Sequence, residues 1–304
     1  MTAKPDLTQM MTKAFKEGKG SLNLSGKMMG ELPVEIGGLR GLHELYLSEN
    51  ELETLPNEIS LLTDLKVLDC SMNRFKEIPP GISRLSKLER IDFSDNELVG
   101  LPAYMDKLID LKILSLSGNG LRTLHPNICK LKNLGVLVLS GNELKELPQG
   151  ITDLRGLIKL DLSYNALEEL PRNLDKFTNL KSLVLSSNQL LKFPREVLKI
   201  SNLEELYLTD NDVGKIPSEI SELKNLKNLY LKNTGLKEIP PEICELKNLR
   251  LLVLSDNLLR TIPPEICGMK NLKWLYLAGN TELVLDNETI EGLAAMDKLI
   301  LKLP

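Results

Sequence analysis

One residue type recurs through this chain at a fixed interval, and that interval constrains the rest. Asparagine occupies positions 50, 73, 96, 119, 142, 165, 188, 211, 257 and 280, and the same 23-residue slot continues through Lys27 and Thr234. Around it runs the pattern Leu-x-x-Leu-x-Leu-x-x-Asn-x-Leu-x-x-Leu-Pro-x-x-Ile-x-x-Leu, in twelve units that cover residues 19–294. A period of this length means a stack of short units, because one unit cannot bury its apolar edge alone.

Each unit mixes two periods. Leu45-Tyr46-Leu47 alternates as a strand does, whereas Leu55, Ile59 and Leu62 are spaced as in a helical turn or a short 3₁₀ segment. A proline sits between them, Pro56 here, and recurs at 33, 79, 102, 148, 171, 194, 217, 240 and 263, with His125 the lone internal substitute. Its fixed φ and missing N–H suit the exit from a turn. The register therefore predicts one parallel sheet of eleven or twelve strands with helical pieces opposite. The helical side is wider than the ~4.8 Å between strands, so the stack curves with its strands concave.

The columns of the core can be read directly. One runs through Leu45, Leu68, Ile91 and their successors to Leu275; a second runs from Leu47 through Cys70 and Phe93 to Leu277. The asparagines fall just past each strand, facing a buried turn. There an amide can donate to and accept from backbone groups that stacking leaves open, so the column reads as a structural ladder.

The stretch Leu42-His43-Glu44-Leu45-Tyr46-Leu47-Ser48-Glu49-Asn50-Glu51-Leu52-Glu53-Thr54-Leu55-Pro56 resembles a leucine-rich repeat. It is most similar to the 23-residue intracellular type found in Ras-binding and cell-polarity scaffold proteins. That resemblance implies an α/β leucine-rich repeat solenoid, right-handed and curved, with a parallel concave sheet and a short helical or 3₁₀ convex side. It implies a signalling scaffold or adaptor whose protein partner is a small GTPase or a phosphatase complex. The alternative is a substrate-recognition or regulatory domain of a larger signalling enzyme or ligase.

The ends depart from the pattern. In residues 1–18, Leu7, Met10, Met11, Ala14 and Phe15 mark one face of a capping helix, with Asp6 at its start. The twelfth unit loses its consensus at Glu282 and Asp286, and Ile290, Leu293, Met296 and Leu299 predict a closing helix; residues 295–304 end this second cap. Met1 to Glu17 lacks the unbroken apolar run of a secretory signal, no stretch is long enough for a membrane span, and the cysteines form no paired cap, which together predict a cytoplasmic location.

Catalytic chemistry finds no foothold. His43 and His125 are isolated, and Cys244 and Cys267 share a slot in adjacent units without a third or fourth ligand. No metal, cofactor or reaction is expected. A formal charge of -4 argues against nucleic acid as a partner through bulk charge.

Function should then lie on the outward slots of the strands. These present Glu44, Tyr46, Asp69 and Asp92 early in the chain, Val136 and Val138 in the middle, and Tyr207, Tyr230, Leu251, Val253, Trp274 and Tyr276 late. Counted with the turn-side slot, the face carries nine acids against three bases, which favours a basic partner surface. Four of the six tyrosines and the single tryptophan fall in these strand slots, the residue types that anchor protein interfaces. A competing expectation places Trp274 beneath the closing helix as a packing residue.

Overall fold

The computed structural model describes residues 20–296 and 299–303, and the chain divides into two compact units, residues 1–157 and 158–304. The capping helix expected over residues 1–18 lies outside the described residues. In the first unit, β1 (Ser21–Asn23), β2 (Glu44–Tyr46), β3 (Val67–Asp69), β4 (Arg90–Asp92), β5 (Ile113–Ser115) and β6 (Val136–Val138) follow one another in parallel. In the second, β7 (Lys159–Asp161), β8 (Ser182–Val184), β9 (Glu205–Tyr207), β10 (Asn228–Tyr230), β11 (Leu251–Val253) and β12 (Trp274–Tyr276) do the same. Each is a parallel-sheet solenoid segment with 3₁₀ helices opposite its strands, the fold class that the register predicts.

Every strand is three residues long, and its middle residue turns inward. Leu206, Leu229, Leu252 and Leu275 are fully buried, while the residues on either side of each are half-buried. In the first unit Phe93 of the second inward column meets Phe75, from the slot just past the ladder asparagine, edge-on with ring centroids 5.1 Å apart. The prolines stand where the turn ends: Pro56, at φ -63° and ψ 153°, leads into the 3₁₀ helix Asn57–Leu61. His125 fills that place by a different device, its Nδ1 accepting from the Asn127 N–H at 3.1 Å and so capping Pro126–Lys130.

The asparagine ladder is realised bond by bond. Asn211 Nδ2 donates to the carbonyls of Leu185 (2.9 Å), Leu208 (3.0 Å) and Thr209 (3.3 Å), while its Oδ1 accepts from Leu190 N–H (3.2 Å). One side chain thus ties its own turn to the preceding repeat. Thr234 keeps part of this role, its hydroxyl donating to Leu231 O (2.8 Å) and to Asn257 Oδ1 (3.1 Å). Reaching the asparagine requires a sharp turn, and the residue before it takes positive φ: Glu49, Asp95, Asp210 and Asp256 stand between 55° and 57°. At Gly279, φ +80°, the need is steric as well, since an added Cβ would fall 2.0 Å from Asp256 Oδ1.

A second ladder has no counterpart among the sequence expectations. Asn225, Asn248 and Asn271 each donate from Nδ2 to a carbonyl 24 residues earlier, those of Ser201 (2.9 Å), Lys224 (2.8 Å) and Lys247 (2.7 Å). It stitches the turns that return the chain from the 3₁₀ side to the strands.

The carboxyl-terminal end corrects the expected closing helix. Helix α1 spans Asn287–Ala294, capped by Asp286, whose Oδ1 accepts from Thr289 N–H at 2.7 Å. It stops there, and Ile300–Lys302 forms β13, parallel to β12, bringing the second unit to seven strands. The alternating Ile300-Leu301-Lys302-Leu303 outcompetes the helical spacing of Met296 and Leu299 because an open strand edge waits beside it. Helix α1 packs on the 3₁₀ helix Pro264–Gly268 through Gly292, where a Cβ would lie 2.6 Å from Cys267 Sγ. Trp274 is therefore not beneath this helix; its neighbour beyond β12 is Ile300.

Truncating a ladder asparagine strands buried carbonyls and amides together. Asn211→Ala is expected to lower stability by about 1–3 kcal/mol, read as a lower denaturation midpoint with the circular-dichroism spectrum preserved. An unchanged midpoint would show that the ladder bonds are replaceable.

Candidate functional site

The register assembles the late outward residues into two columns of the second unit. Tyr207, Tyr230, Val253 and Tyr276 stand side by side in one; Glu205, Asn228, Leu251 and Trp274 in the other. Strand spacing alone brings Tyr207 and Tyr230 within stacking distance, and their rings lie 4.2 Å apart at 11°. Glu205 reaches one member of this pair, at the Tyr207 hydroxyl. Its Oε2 accepts from Ser182 Oγ (2.9 Å) and from the Tyr207 hydroxyl (3.4 Å), and its Oε1 accepts from Asn228 Nδ2 (3.3 Å). The carboxylate thus links Ser182, Tyr207 and Asn228 across three adjacent strands. β13 adds Ile300 and Lys302 to the two columns, two outward residues that the strand signal at 300–303 could have supplied.

The early residues form a separate set in the first unit. Tyr46, Asp69, Asp92 and Val138 share one column, with Glu44 and Val136 in the other. Tyr46 donates to Glu44 Oε2 at 3.2 Å. Asp69 and Asp92 are also engaged locally. Asp69 Oδ1 accepts from the N–H (3.0 Å) and hydroxyl (2.7 Å) of Ser71, and Asp92 Oδ1 does the same with Ser94 (2.9 and 2.6 Å). One oxygen of each closes an Asx turn. On the second unit's face, Asp256 is paired with Lys232 at 3.2 Å, and Asp210 accepts from Asn233 Nδ2 at 2.9 Å. Several of the face's acids are thus engaged by neighbouring groups, although its charge balance is unchanged.

The four cysteines are unbridged. Burial raises the thiol of Cys70 well above its ordinary range and that of Cys244 to about 12, with Glu265 adding to the latter. Such thiols are poor nucleophiles. Among the described residues, no group of three or more His, Cys, Asp or Glu is placed to hold a metal ion. Among those same residues, no helix is long and apolar enough to cross a membrane.

The tyrosines give a titration signature. Burial, then Glu205 and the neighbouring Tyr230, pushes the Tyr207 phenol up, and burial and Glu77 push that of Tyr104 to about 12. A phenol raised in the folded state contributes stability fully present below its ordinary value near 10 and lost as pH climbs through the folded one. Absorbance titration of the native chain should therefore show tyrosinate still forming above pH ~11, with Tyr207→Phe removing one equivalent from that limb. Six phenols ionising together near their ordinary value would contradict the packed platform.

Two leucine-rich repeat family models match the chain, one over residues 109–167, 132–190, 178–236 and 224–283, the other over 64–85. No curated protein matches it. Among solved structures, a leucine-rich repeat protein of Leptospira interrogans is 37% identical, with a TM-score of 0.89 over 95% of this chain and 74% of that one. An internalin of Listeria monocytogenes, 19% identical, shares the fold with a TM-score of 0.81 over 98% of this chain and 94% of its own. The leucine-rich repeat ectodomain of the membrane receptor kinase GASSHO1/SCHENGEN3 from Arabidopsis thaliana, solved in complex with Casparian strip integrity factor 2, is 28% identical with a TM-score of 0.53, covering 90% of this chain and 43% of that one. These likenesses overturn the resemblance to intracellular Ras-binding and cell-polarity scaffolds, and with it the expected cytoplasmic location. The physical reason is plain: the leucine, asparagine and proline slots answer to the buried stack, which is the same in any compartment. None of the three structures is described as binding a small GTPase or a phosphatase. With matched repeats over more than half of its length and a 37% identical relative spanning nearly all of it, the chain belongs to the leucine-rich repeat family.

Proposed function

We propose that the chain binds a protein or peptide on the sheet face of its second unit, with Tyr207, Tyr230, Val253 and Tyr276 as the central column and Leu251 and Trp274 beside it. As a member of this family the chain is a non-enzymatic protein-binding domain. The observation that carries the choice of surface is the stacked Tyr207–Tyr230 pair, with the Tyr207 hydroxyl donating to Glu205. Aromatic side chains already fixed in place bury large areas at small entropic cost when a partner covers them. The receptor kinase ectodomain seen in complex with Casparian strip integrity factor 2 supports a ligand-binding role for this architecture.

The first unit's face has a different character. Glu44, Asp69 and Asp92 line an acidic stretch that favours basic partner surfaces, and Val136 and Val138 offer an apolar end to it. Charges of this kind govern encounter rate and its salt dependence more than final affinity.

The test uses a protein or peptide ligand isolated on the immobilised wild-type chain and then purified. Tyr230→Ala and Trp274→Ala should each weaken it at least tenfold, about 1.4 kcal/mol, with melting temperatures unchanged. Full-strength binding by the well-folded double variant would remove this face from the account. Glu44→Lys should leave the equilibrium affinity nearly intact while lowering the on-rate of a basic ligand that reaches the first unit; an unaltered on-rate would remove the acidic stretch.

A further inference from the structure

The turns that return to β10, β11 and β12 carry a repeated tetrapeptide: Lys224-Asn225-Leu226-Lys227, Lys247-Asn248-Leu249-Arg250 and Lys270-Asn271-Leu272-Lys273. The structure explains two of its four positions. The leucines are buried at 2% exposure or less, and the asparagines make the second ladder. The flanking cations lend backbone carbonyls to that ladder at Lys224 and Lys247, but their side chains take no part in it. They form two rows, 224-247-270 and 227-250-273, on the edge of the second unit where the chain passes from its 3₁₀ helices to its strands.

Spacing within these rows is fixed by backbone bonds. Arg250 N–H donates to Lys227 O at 2.8 Å and Lys273 N–H to Arg250 O at 2.8 Å, while the asparagine bonds to Lys224 O and Lys247 O tie the other row. The cations therefore repeat at roughly the 4.8 Å of adjacent parallel strands. Lys227 is neutralised by Glu204 at 2.5 Å. Among the described residues, Lys224, Lys247, Arg250, Lys270 and Lys273 have no carboxylate partner, and all five are exposed. Glu222 and Glu245 lie two residues before Lys224 and Lys247 and make no ion pair with them. Leaving five like charges this close together is unfavourable in the free chain, and a chain of net charge -4 has acids available to disperse them.

We infer that this edge is a docking site for an acidic helical segment of a protein partner, distinct from the sheet face. Carboxylates at i, i+4 and i+7 on a helix recur about every 5–6 Å, close to the rung spacing of the cation rows. Four of the five unpaired cations are lysines, which act as point charges rather than as bidentate phosphate clamps. No aromatic residue lies within the three tetrapeptides as base stacking on a nucleic acid would want. The intervening leucines are buried, so no apolar wedge is offered to a membrane.

The experiment is fluorescence anisotropy of the full chain with a labelled alanine-based helical peptide carrying glutamates along one face. Its comparators are a peptide of the same composition with the glutamates spread round the helix, a heparin oligosaccharide and single-stranded DNA. The one-face peptide should bind at low ionic strength and be released as salt rises. The Lys247→Glu/Lys270→Glu variant should lose at least about tenfold in affinity, and the spread peptide should bind several-fold more weakly than the one-face peptide. Tyr230→Ala should leave all of this unchanged, which keeps the result separate from the fate of the sheet face. Because the cations are exposed, the variant's melting temperature should match wild type; Lys247→Gln/Lys270→Gln serves if it does not. The inference is overturned if charge reversal leaves binding unaltered, if the two peptides bind equally, if heparin or DNA binds more tightly than the one-face peptide, or if Tyr230→Ala weakens the peptide.

Discussion

A primary amide sealed in a turn does what no aliphatic side chain in this chain can do. Parallel strands three residues long end abruptly, and the carbonyls just past them point into the stack without a strand partner. Each ladder asparagine meets that need from both ends. Asn257 donates to Leu231 O, Leu254 O and Ser255 O at 2.7 to 3.2 Å, and its Oδ1 accepts the amides of Thr234 and Leu236 at 3.0 Å. The leucine columns supply far more apolar burial, but burial is non-directional. It would tolerate a slipped rung; the amide does not.

Fixing the turn in this way fixes the surfaces. Once each strand has one inward residue, its neighbours on both sides must face outward, and the same two columns repeat at every rung. In the second unit they collect tyrosines until two of them stack, one of them bonded to Glu205. In the first, they collect acids, two of which also close their own turns through Ser71 and Ser94. The return turn before each strand is a third set of slots, occupied in three successive repeats by paired cations. One architecture thus offers an aromatic platform and a basic edge on the same unit, each written in slots the core leaves free.

Much of this was legible in the amino-acid sequence because it is periodic. The Asn slot located the ladder, the Leu45 and Leu47 columns located the core, and the alternation around them placed Tyr207, Tyr230, Val253 and Tyr276 in one column. What escaped was not periodic, or was periodic in a quieter residue. The stretch 296–303 carries both a helical and a strand spacing, and only the unpaired edge of β12 decides between them. Asn225, Asn248 and Asn271 repeat faithfully, yet nothing in the repeat names the carbonyls they bond. Asp69 and Asp92 read as free surface charges because their short-range bonds to Ser71 and Ser94 leave no mark on the repeat. The resemblance to intracellular scaffolds went astray for the opposite reason: it rested on slots that serve the core, which say nothing about compartment or partner.

The ladder's status as the constraint that sets each rung is best tested by native-state amide hydrogen exchange on Asn257→Ala. The Leu236 amide, which donates to Asn257 Oδ1 at 3.0 Å, and the Thr234 amide beside it should lose protection by a large factor. The strand amides Leu251 and Trp274, bonded to Lys227 O and Arg250 O, should lose protection less but measurably as the rung loosens. Exchange at Leu236 and Thr234 as slow as in the wild-type chain would mean that leucine packing alone holds the turn, and that the asparagine is a passenger.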